Sequence, residues 1–206
     1  MTIRFHRGDL PDLAHYAGVR AVAIDTETMG LSVTRDRLCL VQLSPGDGSA
    51  DLVQIAAAPA AAPNLKKLLG DRNVLKIFHF ARFDLATLQK TFGVMAEPVY
   101  CTKIASRLVR TYTDKHGLKD LVREVLGHDL STQLQLSDWG APSLSEAQLA
   151  YAASDVLYLH ALKDKLDAML AREGREALAA ACFGFLPDRV RLDLAGFTGE
   201  DIFSHS

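Results

Sequence analysis

An apolar run, Arg20-Ala21-Val22-Ala23-Ile24, ends on Asp25-Thr26-Glu27, and this junction constrains the fold more tightly than any other stretch. The run reads as a buried strand. Side chains alternate across a strand, so Asp25 and Glu27 point one way and Thr26 the other. Two carboxylates held side by side against a buried sheet repel each other unless a cation lies between them. An ordinary exposed D-x-E at a strand end is the plainer reading of these three residues alone; a shared divalent ion is the other.

Two more strands follow: Arg37–Ser44, bounded by Pro45-Gly46-Asp47-Gly48, and Ala50–Ile55. Together the three predict an antiparallel meander. The Ala-rich stretch Ala56–Ala62, with Pro59, is too short to divide domains and reads as a loop. Beyond Pro63 helices and strands alternate: helix Asn64–Leu69, strand Val74–His79, helix Arg82–Phe92 ended by Gly93, short strand Val99–Cys101. Helices then dominate, over Thr102–Arg110, over Leu118–Leu126 closed by Gly127, and in one long run from about Ser145 to Glu173 that opens on a Ser145/Gln148 capping box. This order predicts an α/β fold, a mixed central sheet with helices on both faces.

With 206 residues, 49% hydrophobic and 23% charged, the chain can bury one full core. We expect a single domain over 1–206. Its tail, about 174–206, carries Phe197, Ile202 and Phe203 and is expected to dock on the body or on a neighbouring subunit. No apolar run reaches the roughly 20 residues that span a bilayer, and the N-terminus lacks the apolar core of a signal peptide, so the expected location is the cytoplasm, with no membrane partner. Cys39, Cys101 and Cys182 show no CxxC pairing and read as reduced thiols. A net charge of -2 argues against holding long nucleic acid by bulk electrostatics, so such contact must be local.

Asp84 opens the helix after the strand ending at His79, which places it near that strand's carboxyl end, and Asp155 follows Tyr151 by one helical turn on the same face. Each has a bland alternative, since Asp84 could simply favour the helix macrodipole and Tyr151 could be a core aromatic. Taken together, four acids and a phenol brought to one place point to metal and phosphate chemistry.

Asp25-x-Glu27, Asp84 within His79-Phe80-Ala81-Arg82-Phe83-Asp84-Leu85, and Tyr151-x-x-x-Asp155 resemble the three motifs of the DEDDy group. These are the ribonuclease D-like 3′-to-5′ exonucleases of the ribonuclease H-like fold. The similarity runs from about Ala21 to Leu159, and Ser137-Asp138-Trp139 with Leu144–Leu149 also looks like ribonuclease D. We expect no counterpart here of the extra helical domains with which ribonuclease D grips longer RNA. It looks most like the short nanoRNase C branch, which degrades dinucleotides, including at Gly117-Leu118-Lys119 and the closing Asp201–Ser206.

The resemblance implies two divalent cations, Mg²⁺ or Mn²⁺. Asp25 would bridge them, Glu27 and Asp155 would complete the ion nearer the attacking water, and Asp84 would hold the second largely through water. Tyr151 would orient or deprotonate that water, and water positioning should dominate because a phenol is a poor base at neutral pH. The implied substrates are short RNA, chiefly 5′-phosphorylated dinucleotides, with short DNA as a further candidate; the products are nucleoside 5′-monophosphates. A homo-octamer is implied as well. Two other functions compete: a ribonuclease D-like trimmer of longer RNA or DNA, and a non-catalytic nucleotide-binding scaffold, although all five site residues are present.

A ligand with few phosphates has to be held at both ends and by its bases. By resemblance Leu31, after Met29-Gly30, is the candidate wedge between two bases; a loop leucine packed on the core is the alternative. Between Lys103 and Arg123 six basic residues face only Asp114 and Asp120. There Tyr112, His116 and Lys119, around the start of a helix, are candidates for capping a 5′ phosphate, against a solvated basic helix face. His79 and Arg82 lie near the motifs but are kept out of the catalytic set: His79 could touch substrate or serve structure, and Arg82 could neutralise phosphate or brace Asp84.

Overall fold

The computed structural model describes residues 2–57, 61–131 and 133–205. Among them six strands form one sheet: β1 (Thr2–Arg7), β2 (Ala21–Thr28), β3 (Leu38–Ser44), β4 (Ser49–Gln54), β5 (Leu75–Phe78) and β6 (Val99–Cys101), in spatial order β1-β4-β3-β2-β5-β6. β2, β3 and β4 pair antiparallel, as the meander predicts, whereas β1–β4, β2–β5 and β5–β6 are parallel. The sheet is therefore mixed, and the α/β expectation holds. The loop expected over Ala56–Ala62 falls partly on residues 58–60, outside the described residues.

β1 is a strand that the sequence reading did not anticipate. It is an edge strand whose polar side chains find a partner in Asp51 of β4: Arg4 Nε and Nη2 donate to its two oxygens at 2.8 Å, and His6 Nε2 lies 2.7 Å from one of them.

Helices α1 (Pro63–Gly70), α2 (Ala81–Phe92), α3 (Thr102–Val109), α4 (Leu118–Leu126), α5 (Glu146–Leu157), α6 (Leu159–Arg172) and α7 (Glu176–Leu194) cover the sheet. Strand alternation divides the core in two. Val22, Ile24 and Leu43 pack with Leu65, Leu85 and Val190, from α1, α2 and α7. Ala23, Leu40 and Leu52 pack on the other face with Val122, Val156 and Leu162, from α4, α5 and α6. None of the described helices is long and apolar enough to cross a membrane.

The long helix expected from Ser145 to Glu173 is corrected to two. It opens on the expected capping box but breaks at Tyr158, where φ is -98° and ψ -8°. α5 lies on β2, β3 and β4 while α6 packs chiefly on α3, α4 and β5, so the two helices cover different parts of that face. No glycine or proline marks the break. Beyond Gly174 the chain forms α7, whose Leu186 and Val190 are buried, and its C-terminal end is tied to α2. Arg82 Nε and Nη2 donate to Asp193 at 2.6 and 2.7 Å, and Nη2 also donates to the Thr198 carbonyl at 2.8 Å.

Candidate active site

The cleft arises from unequal strands. β5 pairs with β2 only over Ala21–Ala23, then the chain leaves through His79 into α2. Residues 25–28 of β2 continue past it, paired with β3 on one side, and line the cleft together with His79, Phe80 and Phe83. α5 covers the face to which Asp25 and Glu27 point. Its Ala152 and Ala153 are fully buried and small, so the helix approaches closely. The approach brings one carboxylate oxygen each from Asp25, Glu27 and Asp155 within 4.8 Å of one another. Tyr151 stands one turn before Asp155, and both line a cleft of about 640 Å³.

Asp84 comes from the other side of the strand and is outside that trio. Thr26, which points opposite to Asp25, donates its hydroxyl to Asp84 Oδ1 at 2.7 Å, and Asp84 is 3% exposed. Thr26 is a site residue that the sequence reading missed. Its one signal is polarity on the core-facing side of a buried strand.

All four carboxyls are held above their ordinary range. Burial is the first cause for each: it brings Asp25 to about 7, and at Glu27, raised to about 10, the charges of Asp25, Asp155 and Asp84 add to it. Asp84 and Asp155 are raised by burial and then by the charge of Asp25. An all-oxygen set whose members repel one another fits hard divalent cations, which remove the repulsion on binding. Burial, followed by the charges of Asp155, Glu27 and Asp25, pushes the Tyr151 phenol up, so it stays protonated and serves as a hydrogen-bond donor.

The neighbouring residues fall into place by their partners. His79 Nδ1 lies 2.9 Å from Thr102 Oγ1, and burial, then the charge of Lys103, lowers the imidazole to about 3, which leaves it neutral. Arg82 has its guanidinium committed to Asp193 and Thr198, so it braces α7. Leu31 is 87% exposed at the cleft rim, which rules out the core-packed alternative. Its loop is fixed from both sides: Asp36 Oδ2 accepts from the Ser32 amide at 2.9 Å, and Lys90 Nζ donates to the Val33 and Thr34 carbonyls at 2.7 and 2.8 Å. A Cβ at Gly30 would come within 2.3 Å of Asp36 Oδ2, so a side chain there would have to displace the carboxylate that ties the loop.

Lys119 lines the cleft with Gly117 and Leu118 at the start of α4. Tyr112 and His116 do not line it. The Tyr112 hydroxyl bonds to Glu124, and His116 Nδ1 lies 2.9 Å from Ser106 Oγ. Both belong to a network around the fully buried Arg110, which donates to Ser106 Oγ at 2.9 Å and to the Lys115 carbonyl at 2.8 Å and pairs with Glu124. That network fixes the loop leading into α4.

Residues 12–171 match the 3′-5′ exonuclease domain family. Among solved structures, Brucella melitensis NrnC with bound Mg²⁺ is similar at a TM-score of 0.96 and 62% identity, over 100% of both chains. NrnC from the same organism bound to pGG gives a TM-score of 0.97 at 62% identity, again over 100% of both chains. Ribonuclease D of Gluconacetobacter diazotrophicus is 37% identical over 167 residues, 81% of this chain but 42% of that protein, so the chain spans less than half the length of this relative. With the motifs, the fold and the acidic trio in agreement, the chain belongs to the 3′-5′ exonuclease family, on the NrnC side of the ribonuclease D-like DEDD enzymes.

Proposed function

We propose that this protein is a metal-dependent 3′-to-5′ exoribonuclease that hydrolyses 5′-phosphorylated dinucleotides to nucleoside 5′-monophosphates. The observation that carries the reading is the trio Asp25, Glu27 and Asp155 at the floor of a cleft of about 640 Å³. That volume is typical of sites that enclose a small ligand. The pGG held by NrnC, at 62% identity over the whole of both chains, supports a ligand of this size.

Two divalent cations, Mg²⁺ or Mn²⁺, held by Asp25, Glu27, Asp155 and, through water, Asp84, would neutralise the scissile phosphate and the leaving oxygen and make water a better nucleophile. The protein's own residues do the rest. Tyr151 donates a hydrogen bond that orients the attacking water in line with the P–O3′ bond. The water oxygen bonds to phosphorus, the P–O3′ bond breaks, and the proton released by water ends on the departing 3′ oxygen. Thr26 holds Asp84 against the strand so that the fourth acid keeps one orientation.

Leu31, exposed on a pinned loop, separates the two bases, and Lys119 with the start of α4 receives the terminal phosphate. Tyr112 and His116 act on this subsite indirectly, by fixing the loop before α4. Phe197, Ile202 and Phe203, exposed on the closing segment, supply apolar surface for assembly into a homo-octamer. The test of the central chemistry is hydrolysis of pGG with Mn²⁺ by the wild type and Asp25→Ala. The substitution is expected to lower turnover by at least about a hundredfold while the protein stays folded. Hydrolysis that survives chelation, or that Asp25→Ala leaves intact, would reject the site.

A further inference from the structure

Gln42 lies in β3, a strand buried along its whole length. The residue is 0% exposed and shares a face of the sheet with Leu40 and Leu52, both fully buried. In the register of β2 with β3 it stands directly opposite Asp25. Its Nε2 donates to Asp25 Oδ2 at 3.3 Å, while its Oε1, also buried, has no partner among the described residues. A leucine would fill this place without an unpaired carbonyl, so packing alone does not account for an amide here. Next to an ionised carboxylate only the amide nitrogen can face the acid, which fixes the orientation of the whole group.

We propose that Gln42 is a positioning residue of the cation site, holding Asp25 in one rotation beside Glu27 and Asp155 so that the trio is set before any cation arrives. The inference rests on the reading of that trio as a divalent-cation site. Donors that orient ligating carboxylates govern metal affinity without touching the metal. Gln42 has no contact with substrate in this role.

The test is Mn²⁺ binding to the full chain without nucleotide, measured by titration calorimetry on the wild type, Gln42→Met, Gln42→Leu and Asp25→Ala, with cation-free melting alongside. Gln42→Met and Gln42→Leu are expected to weaken Mn²⁺ binding by about 10- to 100-fold. Their cation-free melting temperatures should match or exceed the wild type, because an unpaired buried carbonyl is gone. A purely structural glutamine would give the reverse, a lower melting temperature with unchanged Mn²⁺ affinity, and that result overturns the proposal. If Gln42→Leu does not fold, Gln42→Met, closer to glutamine in length, carries the comparison. A wild type that binds no Mn²⁺, or Asp25→Ala binding it as tightly, removes the cation-site reading and this inference with it. Tight binding by the wild type and equally tight binding by Gln42→Met removes the inference alone.

Discussion

Glu27 is hemmed in by three other carboxyls, and the energetic consequence is measurable without any substrate. With cations absent, the folded chain keeps Glu27 protonated where the unfolded chain would ionise it, and Glu27→Gln removes the need to take up that proton, so the folded state should gain on the order of 1 kcal/mol at neutral pH. Denaturant titration in a chelating buffer would detect it, and the same variant should lose cation binding. The pH dependence follows with its sign. Below the ordinary carboxylate range these groups are protonated in both the folded and unfolded chain and cost no stability. Above it the unfolded chain releases protons that the folded chain keeps, up to about 7 at Asp25 and about 10 at Glu27. Cation-free stability from these groups therefore falls as pH rises through that window. Added Mn²⁺ should accordingly raise the melting temperature more at about pH 8 than at about pH 5.5; an equal rise at both would contradict the assignment. The acids were legible in the sequence because strand alternation and an i, i+4 helix pair place them. Thr26 and Gln42 were not, because their partners lie 58 and 17 positions away across the sheet or from it.

Among the elements, α5 and α7 matter most to the site. α5 comes close only because Ala152 and Ala153 are small. Ala152→Leu should push the helix off the sheet, costing about 1–3 kcal/mol of stability and widening the acidic trio. A matching fall in Mn²⁺ affinity would check it. α7 is tied to α2 through Asp193, which also accepts from Arg189 Nη2 at 2.8 Å. Asp193→Ala leaves two guanidinium groups without their carboxylate; with Arg82 partly exposed, the expected loss is about 1–2 kcal/mol, read from denaturant midpoints. Most elements were readable from turn residues and periodicity, and α4 matches its expected span, closed by Gly127 at φ 74°. The break at Tyr158 was not readable, since helix propensity is continuous there and only the different packing partners of α5 and α6 set the two apart. β1 was missed because its strand character depends on an acid in β4 that its own sequence does not contain.

At the scale of the molecule, a central strand longer than its parallel neighbour makes the cleft, and a pinned loop and the start of α4 bound it. Fold class and metal chemistry could be read from the chain order of three short motifs. The cleft's boundary could not, because it depends on which side chains of residues 112–119 face inward: the sequence offers Tyr112, His116 and Lys119 as equals, whereas Tyr112 and His116 are drawn into the network around Arg110 and of the three Lys119 alone lines the cleft. A cleft of about 640 Å³ bears most directly on substrate length. The most direct measurement compares Mn²⁺-dependent turnover of pGG with that of an RNA of about ten nucleotides at equal concentration. With a site this size, pGG should be turned over at least about tenfold faster; similar turnover of the two would rule out a site fitted to dinucleotides.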